Sequence, residues 1–275
     1  MYPLVRRLPA LLLLLAAAGC RPSAPETSSA PALTNRADSL AWTAYEAMGG
    51  PEVWEHLPAV RFDFAAQAEG EPPPTNRRRH LWNRTTGDYR LETVRGDSVY
   101  VVLFNTQTRT GQVFASASRA DTAAVTTVDE PQRQGWLDRA YRAFINDMYW
   151  LLQPTKLFDP GVSRLLEPDS AANGQTVVRL SFEGVGLTPG DRYWLYFAPG
   201  QALPAAWRFH LQGDSTAGPL IRSEGDTVLV TPYGNATLRT RHRVGTSRTV
   251  LTDHIALPDS VAAAFFTDPK RWLAD

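Results

Sequence analysis

The sequence predicts a mainly β protein with helices (α+β), built on a curved antiparallel sheet. Short runs of period-two alternation recur along most of the chain, separated by Gly, Asp and Pro punctuation. Helical periodicity appears in only three places, without the strand–helix–strand rhythm of a parallel sheet. A curved sheet of about ten strands would leave an apolar concave face in water unless something covered it, and the helices are the available cover.

The N-terminal residues precede this pattern. Arg6 and Arg7 form a basic n-region, Leu11 to Leu15 an apolar run, and Ala16, Ala17, Ala18 and Gly19 a small-residue stretch before Cys20. This is the layout of an export signal, residues 1–19. The whole apolar stretch that passes through it, from Leu8 to Ala18, is about half of the ~20 residues that cross a bilayer, which favours cleavage over a retained span. Cys20 is the sole cysteine, so no intramolecular disulfide can form. Its setting resembles the lipobox of bacterial lipoproteins, departing at Ala17, where that family usually has Leu. The resemblance implies an acylated Cys20 and anchoring by several acyl chains. Arg21 stands where a sorting rule of some Gram-negative bacteria places an inner-membrane Asp, so the expected location is the cell envelope, at the outer membrane facing the periplasm. Residues 20–35 then comprise the acylated cysteine and a flexible tether rich in Pro, Ser, Ala and Thr. Residues 36–275 read as a single domain.

Within that domain, Leu40, Ala41, Ala44, Tyr45 and Met48 share a helical face, with Asp38 as the expected N-cap and Gly49-Gly50 as the stop. Pro51 can open a further turn containing Trp54. From Val60 the period is two: Val60, Phe62, Phe64, Ala66 and Ala68 alternate with Arg61, Asp63, Ala65, Gln67 and Glu69, a strand with one buried face. Strands at 78–83, 89–94, 99–105 and 112–115 continue as an antiparallel meander, with Gly87-Asp88 as a two-residue turn. The longest helix spans about Gln132 to Leu152, with Trp136, Ala140, Phe144, Met148 and Leu152 on a face wide enough to cover the sheet. Strands resume at 176–182, 192–197, 207–212, 227–231, 238–244 and 249–257, and a short helix is expected at 259–266.

Several segments carry a family resemblance: Met48-Gly49-Gly50 with Trp54, Arg79-His80-Leu81-Trp82, Gly87 to Glu92, Ile145 to Trp150, and Gly186 to Asp191 with Tyr193-Trp194. With the lipobox and the helix inserted in a meander, they look similar to the LolA/LolB superfamily of periplasmic lipoprotein carriers. The resemblance implies an unclosed β-barrel capped by helices over a hydrophobic cavity. It would make the protein a membrane-anchored envelope lipoprotein binding a lipid or acyl chain. The alternative is a structural or interaction lipoprotein with a filled core and no ligand.

No Gly-x-Ser-x-Gly elbow, His-Glu-x-x-His, Cys-x-x-Cys or phosphate loop is present. The expectation is therefore no enzyme, no cofactor and no metal. The formally neutral charge argues against nucleic acid, basic runs such as Arg77 to His80 reading as solvated faces. Partners are then the membrane, through the anchor, and a lipid or lipoprotein ligand; the oligomeric state is open. Candidate ligand contacts are Trp82, Leu91, Phe144, Met148, Leu152 and Trp194. Arg79, His80, Arg90 and Glu92 read first as a cross-strand ion pair that fixes register, and otherwise as candidates for holding a polar head. Asp147, among apolar neighbours, needs a partner such as a cap or an arginine. Eight tryptophans and eleven phenylalanines could line a cavity or fill the core.

Overall fold

The computed structural model describes residues 31–275 except 73, 122, 168–173, 185–189 and 275. The signal segment, Cys20, most of the tether and Gly186 to Pro189 lie outside the described residues. The described chain runs α1 (Arg36–Ala47), α2 (Gly50–Trp54), β1 (Ala59–Ala68), β2 (Arg78–Asn83), β3 (Asp88–Arg95), β4 (Ser98–Asn105), β5 (Gly111–Ser116) and β6 (Thr126–Thr127). After α3 (Gln132–Leu152) it continues through β7 (Val162–Glu167), β8 (Thr176–Phe182), β9 (Arg192–Phe197), β10 (Ala206–His210), β11 (Ile221–Thr231), β12 (Gly234–Val244) and β13 (Arg248–Ala256) to α4 (Ala264–Thr267).

All thirteen described strands belong to one sheet, in the order β6-β5-β4-β3-β2-β1-β13-β12-β11-β10-β9-β8-β7. Every recorded pairing is antiparallel. The sheet does not close, because β6 and β7 are its two edges. It is nevertheless strongly curved. Trp82 of β2 and Phe182 of β8 line one cleft although seven places separate their strands. At about 4.8 Å per strand, a flat sheet would hold them more than 30 Å apart. The long helix α3 lies in the hollow, and Trp136, Leu137, Ala140, Met148, Leu151 and Leu152 are its buried apolar residues. The predicted helical stripe is the one the sheet buries.

Four local expectations are corrected. The N-cap of α1 is Asn35, whose side chain accepts from the Asp38 N–H at 2.9 Å. Asp38 sits in the first turn, where its carboxylate pairs with Arg164 at 2.8 Å. The β2–β3 connection is a four-residue loop rather than a two-residue turn. Asn83 organises it by accepting from the Thr85 and Thr86 N–H groups, and Gly87 closes it at φ 80. The final helix is a single turn starting at Ala264, five residues later than expected, because Pro258 and the residues after it run irregularly. Finally, β1 is buried on both faces from Ala59 to Ala65. Its apolar face meets the hollow, while Arg61 and Asp63 are covered on the convex side, where the C-terminal segment crosses the sheet.

That segment is held by polar contacts. Arg90, wholly buried, donates to the carbonyls of Phe265, Asp268 and Pro269 at 3.0, 2.9 and 3.2 Å. Glu92 accepts from the Leu273 N–H at 2.9 Å, and Arg61 donates to the Ala274 carbonyl at 2.8 Å. Beyond its single helical turn the segment has few backbone partners of its own, and these buried side chains supply partners for carbonyls and an N–H that would otherwise be left unpaired.

Candidate functional site

The α3 helix divides the hollow into a filled part and an open one. Toward β9 and β10 the hollow is filled by rings: Tyr149 meets Tyr193 edge-on at 5.1 Å, and Trp150 meets Trp207 at 4.7 Å. On the other flank an apolar cleft of about 400 Å³ remains between α3, β2 and the β7–β8 end of the sheet. Phe144, Ile145, Met148 and Tyr149 form its helical wall, Trp82 stands opposite, and Pro160, Val162 and Phe182 complete it. Its two charged lining residues are Lys156 and Asp159, partly exposed and paired at 3.4 Å. The chemistry is that of a greasy slot with one cation and one anion beside it, suited to burying a hydrocarbon and leaving a polar head in water.

A buried polar chain fixes the wall behind this cleft. Asp147 of α3 is fully buried and accepts two hydrogen bonds from Arg78 of β2, from Nε at 2.6 Å and Nη2 at 2.8 Å. His80, also fully buried, places Nε2 3.1 Å from the same carboxylate, its ring N–H not squarely aimed, and contacts the Tyr89 hydroxyl through Nδ1. Burial raises the Asp147 carboxyl, but His80 and Arg78 outweigh it and hold it below the ordinary carboxylate range. His80 is held below the ordinary imidazole range by burial, with Asp147 opposing. The neutral ring can then accept from the Tyr89 O–H. Tyr89 in turn supports Phe144 edge-on at 5.0 Å, and Phe144 meets Trp82 at 5.1 Å. The carboxylate thus ties α3 to the sheet at the residue between Phe144 and Met148, and so sets the width of the cleft. The need for a partner at Asp147 was legible from sequence; its identity was not.

The sequence-predicted residues fall into three groups. Trp82, Phe144 and Met148 come together in the cleft. Leu91 and Leu152 are buried core residues that support the hollow without lining the cleft. Trp194 lies on the opposite sheet face from Tyr193, Leu195 and Phe197, all of which pack on the core, because side chains alternate along β9. The expected polar set is split in the same way. His80 faces the hollow, whereas Arg79, Arg90 and Glu92 face the convex side. Arg90 and Glu92 pair there at 2.7 Å, on one strand two residues apart. Across strands, Arg79 opposes Glu92 and Trp82 opposes Tyr89, so the meander register is as expected. Trp82 and Leu91 share the inner face. Ile145, Val162 and Phe182 escaped sequence reasoning. Ile145 lies off the i, i+4 stripe, and the other two come from strands far away in the chain.

Among the described residues, Asp63, Asp253 and His254 place carboxylate and imidazole atoms within 4.8 Å of one another. Arginines already occupy this group: Arg61 lies 2.5 Å and Arg79 3.7 Å from Asp63, and Arg77 pairs with Asp253. Three guanidiniums make it a poor host for a cation.

No protein-family model matches the chain, and comparison with curated proteins finds no match. Solved structures similar to it include a DUF1329 family protein from Desulfovibrio piger, at TM-score 0.45 and 10% identity over 85% of this chain and 98% of that one. A LolA superfamily protein from Nitrosomonas europaea is similar at TM-score 0.37 and 12% identity, over 83% of this chain and 96% of that one. The Mycobacterium tuberculosis lipoprotein LppX is similar at TM-score 0.23 and 9% identity, over 80% of this chain and 96% of that one. At these values the functional reading rests on the geometry of the cleft.

Proposed function

We propose that this protein is an envelope lipoprotein, anchored through acylated Cys20 at the outer membrane, that takes a lipid or protein-borne acyl chain into the cleft beneath α3. The observation that carries the reading is the apolar cleft of about 400 Å³ with Lys156 beside it. Its size lies within the roughly 300–1,000 Å³ common for small-molecule sites. No chemical step is required. Each methylene moved from water into the slot contributes about 0.8 kcal/mol, and Lys156 can meet a carboxylate or phosphate head. The fixed tie at Asp147 makes the α3 wall a stable surface, while Met148, unbranched and flexible, lets it adapt to chains of different shape.

A fluorescent fatty acid titrated into the purified protein tests this. Saturable binding is expected. Ile145→Trp, which places an indole in the cleft from a half-buried position, should lower affinity by about tenfold or more. Met148→Glu should abolish uptake, because the carboxylate would be dehydrated by any bound chain. Circular dichroism checks that both variants remain folded. Failure of the wild-type protein to bind any such probe would leave the filled-core interaction lipoprotein as the better account. For the anchor, metabolic fatty-acid labelling should mark the wild type and not Cys20→Ser; equal labelling of both would refute acylation at this residue.

A further inference from the structure

A second concavity, of about 420 Å³, lies at the other end of α3 from the cleft, and the acyl-binding reading does not use it. Its floor is Trp136, on which Tyr100 of β4 stacks at 4.0 Å with planes 27° apart. Arg95, at the end of β3, and Arg139, one helical turn beyond Trp136, both line it, with guanidinium carbons 5.9 and 5.3 Å from the indole. Both arginines are exposed, and among the described residues neither has a carboxylate partner. The acid nearest in sequence to the start of α3, Glu130, is bound to Arg133 at 2.6 Å.

Two unpaired guanidiniums over one aromatic floor leave the inward-facing donors free for an outside anion. Gly135 sharpens the picture. It lines the concavity inside a helix, where glycine is unfavourable, and a Cβ added there would meet only Arg139 Nη1, at 3.8 Å. Packing does not require this glycine, and its absence of a side chain keeps the space before Arg139 open. The α3 end adds field of the same sign, with no acidic residue in its first turn and no side-chain cap.

We propose that this pocket binds a phosphate group, with Arg95 and Arg139 as the two arms of the clamp and Trp136 as its floor. The shared chemistry is a phosphate carried by a lipid head or free in solution. Because Trp136 is the floor, occupancy should alter intrinsic tryptophan fluorescence. The full chain is titrated at low salt with inorganic phosphate and with short-chain phosphatidic acid, using chloride and short-chain phosphatidylcholine as controls.

Saturable binding of phosphate or phosphatidic acid is expected, falling about tenfold with each of Arg95→Gln and Arg139→Gln, since charge-assisted bonds of this kind carry that order of affinity. Gly135→Glu, which adds an internal carboxylate to the pocket, should block binding as well. All three variants sit on exposed or open positions and should melt no lower than the wild type, Gly135→Glu somewhat higher because it removes a glycine from the helix. They should also leave fatty-acid uptake in the cleft unchanged, so failure here is distinguishable from failure of the acyl-binding reading. Tighter binding of phosphatidic acid than of phosphate, equally sensitive to both arginines, assigns a lipid head; equal affinities assign a free anion. The proposal is overturned if neither ligand binds saturably, or if the Arg95→Gln, Arg139→Gln double variant binds as the wild type does.

Discussion

Arg90→Ala is expected to destabilise the protein by about 3–5 kcal/mol, the cost typical of breaking a buried ion pair from one side. Arg90 has no exposed surface, pairs with Glu92 at 2.7 Å, and holds three carbonyls of the C-terminal segment. Removing it leaves those oxygens without their donor. It also leaves Glu92, itself almost wholly buried, without its closest cation, with Arg119 farther away at 3.5 Å. Native domains are stable by only about 5–15 kcal/mol, so the loss would be a large share of the total. Urea denaturation measures it, and hydrogen exchange should show residues 264–274 losing protection first. The paired change Arg90→Met with Glu92→Leu separates ion pairing from packing. With both charges gone, the share of the loss owed to the uncompensated Glu92 carboxylate should be recovered, while the share owed to the three carbonyls and the Leu273 N–H, which stay without their side-chain partners, should remain. A single variant as stable as the wild type would mean that the segment is held by its apolar residues, chiefly Leu273, and not by this network.

The convex-side network also shows where sequence reasoning stops. Period-two alternation located the strands of the meander, and the register of β2 on β3 followed from it, because a slip by one residue would have turned Trp82 and Leu91 away from the hollow. The α3 stripe was equally legible, since helical spacing declares which face is buried. What alternation cannot declare is that the second face is buried too. Arg61, Asp63, Arg90 and Glu92 have the composition of a solvated face, yet they are interior, and the segment from Phe265 to Ala274, folded back across the sheet, meets Arg61, Arg90 and Glu92 directly. Arg79, Arg90 and Glu92 therefore share a sequence neighbourhood with His80 but not a face, because the pleat sends His80 the opposite way. Trp194 fails for the same reason. An aromatic residue signals burial or contact but not a face, and β9 is read correctly only once Tyr193 is known to point inward. The cleft was half legible. Its helical wall is contiguous in sequence, while Val162 and Phe182 reach it only because the sheet curves through seven strand positions.

Stability should fall by about 3 kcal/mol as pH drops from about 6.5 to about 4, through His242. This residue lies on the inner face of β12, beneath Trp150 of α3 at 5.5 Å, with the Ser223 hydroxyl on Nδ1 at 3.0 Å. Burial holds its pKa down at about 4, with hydrogen bonding to the backbone of Arg239 and Trp150 opposing it and the Arg239 charge adding to it. In the unfolded chain the ring titrates near 6.5. Between these values the unfolded state carries a proton that the folded state refuses, so acid favours unfolding. The stabilising difference is fully present above about pH 6.5 and is lost progressively as pH falls toward 4. His80, lowered by its own burial, acts with the same sign. Asp147, whose carboxyl is held low, opposes unfolding until more acidic conditions protonate it. Urea midpoints measured at about pH 7 and about pH 4.5 should therefore differ by most of this amount in the wild type. In His242→Gln, which cannot titrate and retains an amide to meet Ser223, the difference should shrink to the share of His80. Equal pH dependence in the two proteins would show that His242 reaches water in the folded state and that α3 does not seal the sheet beneath Trp150.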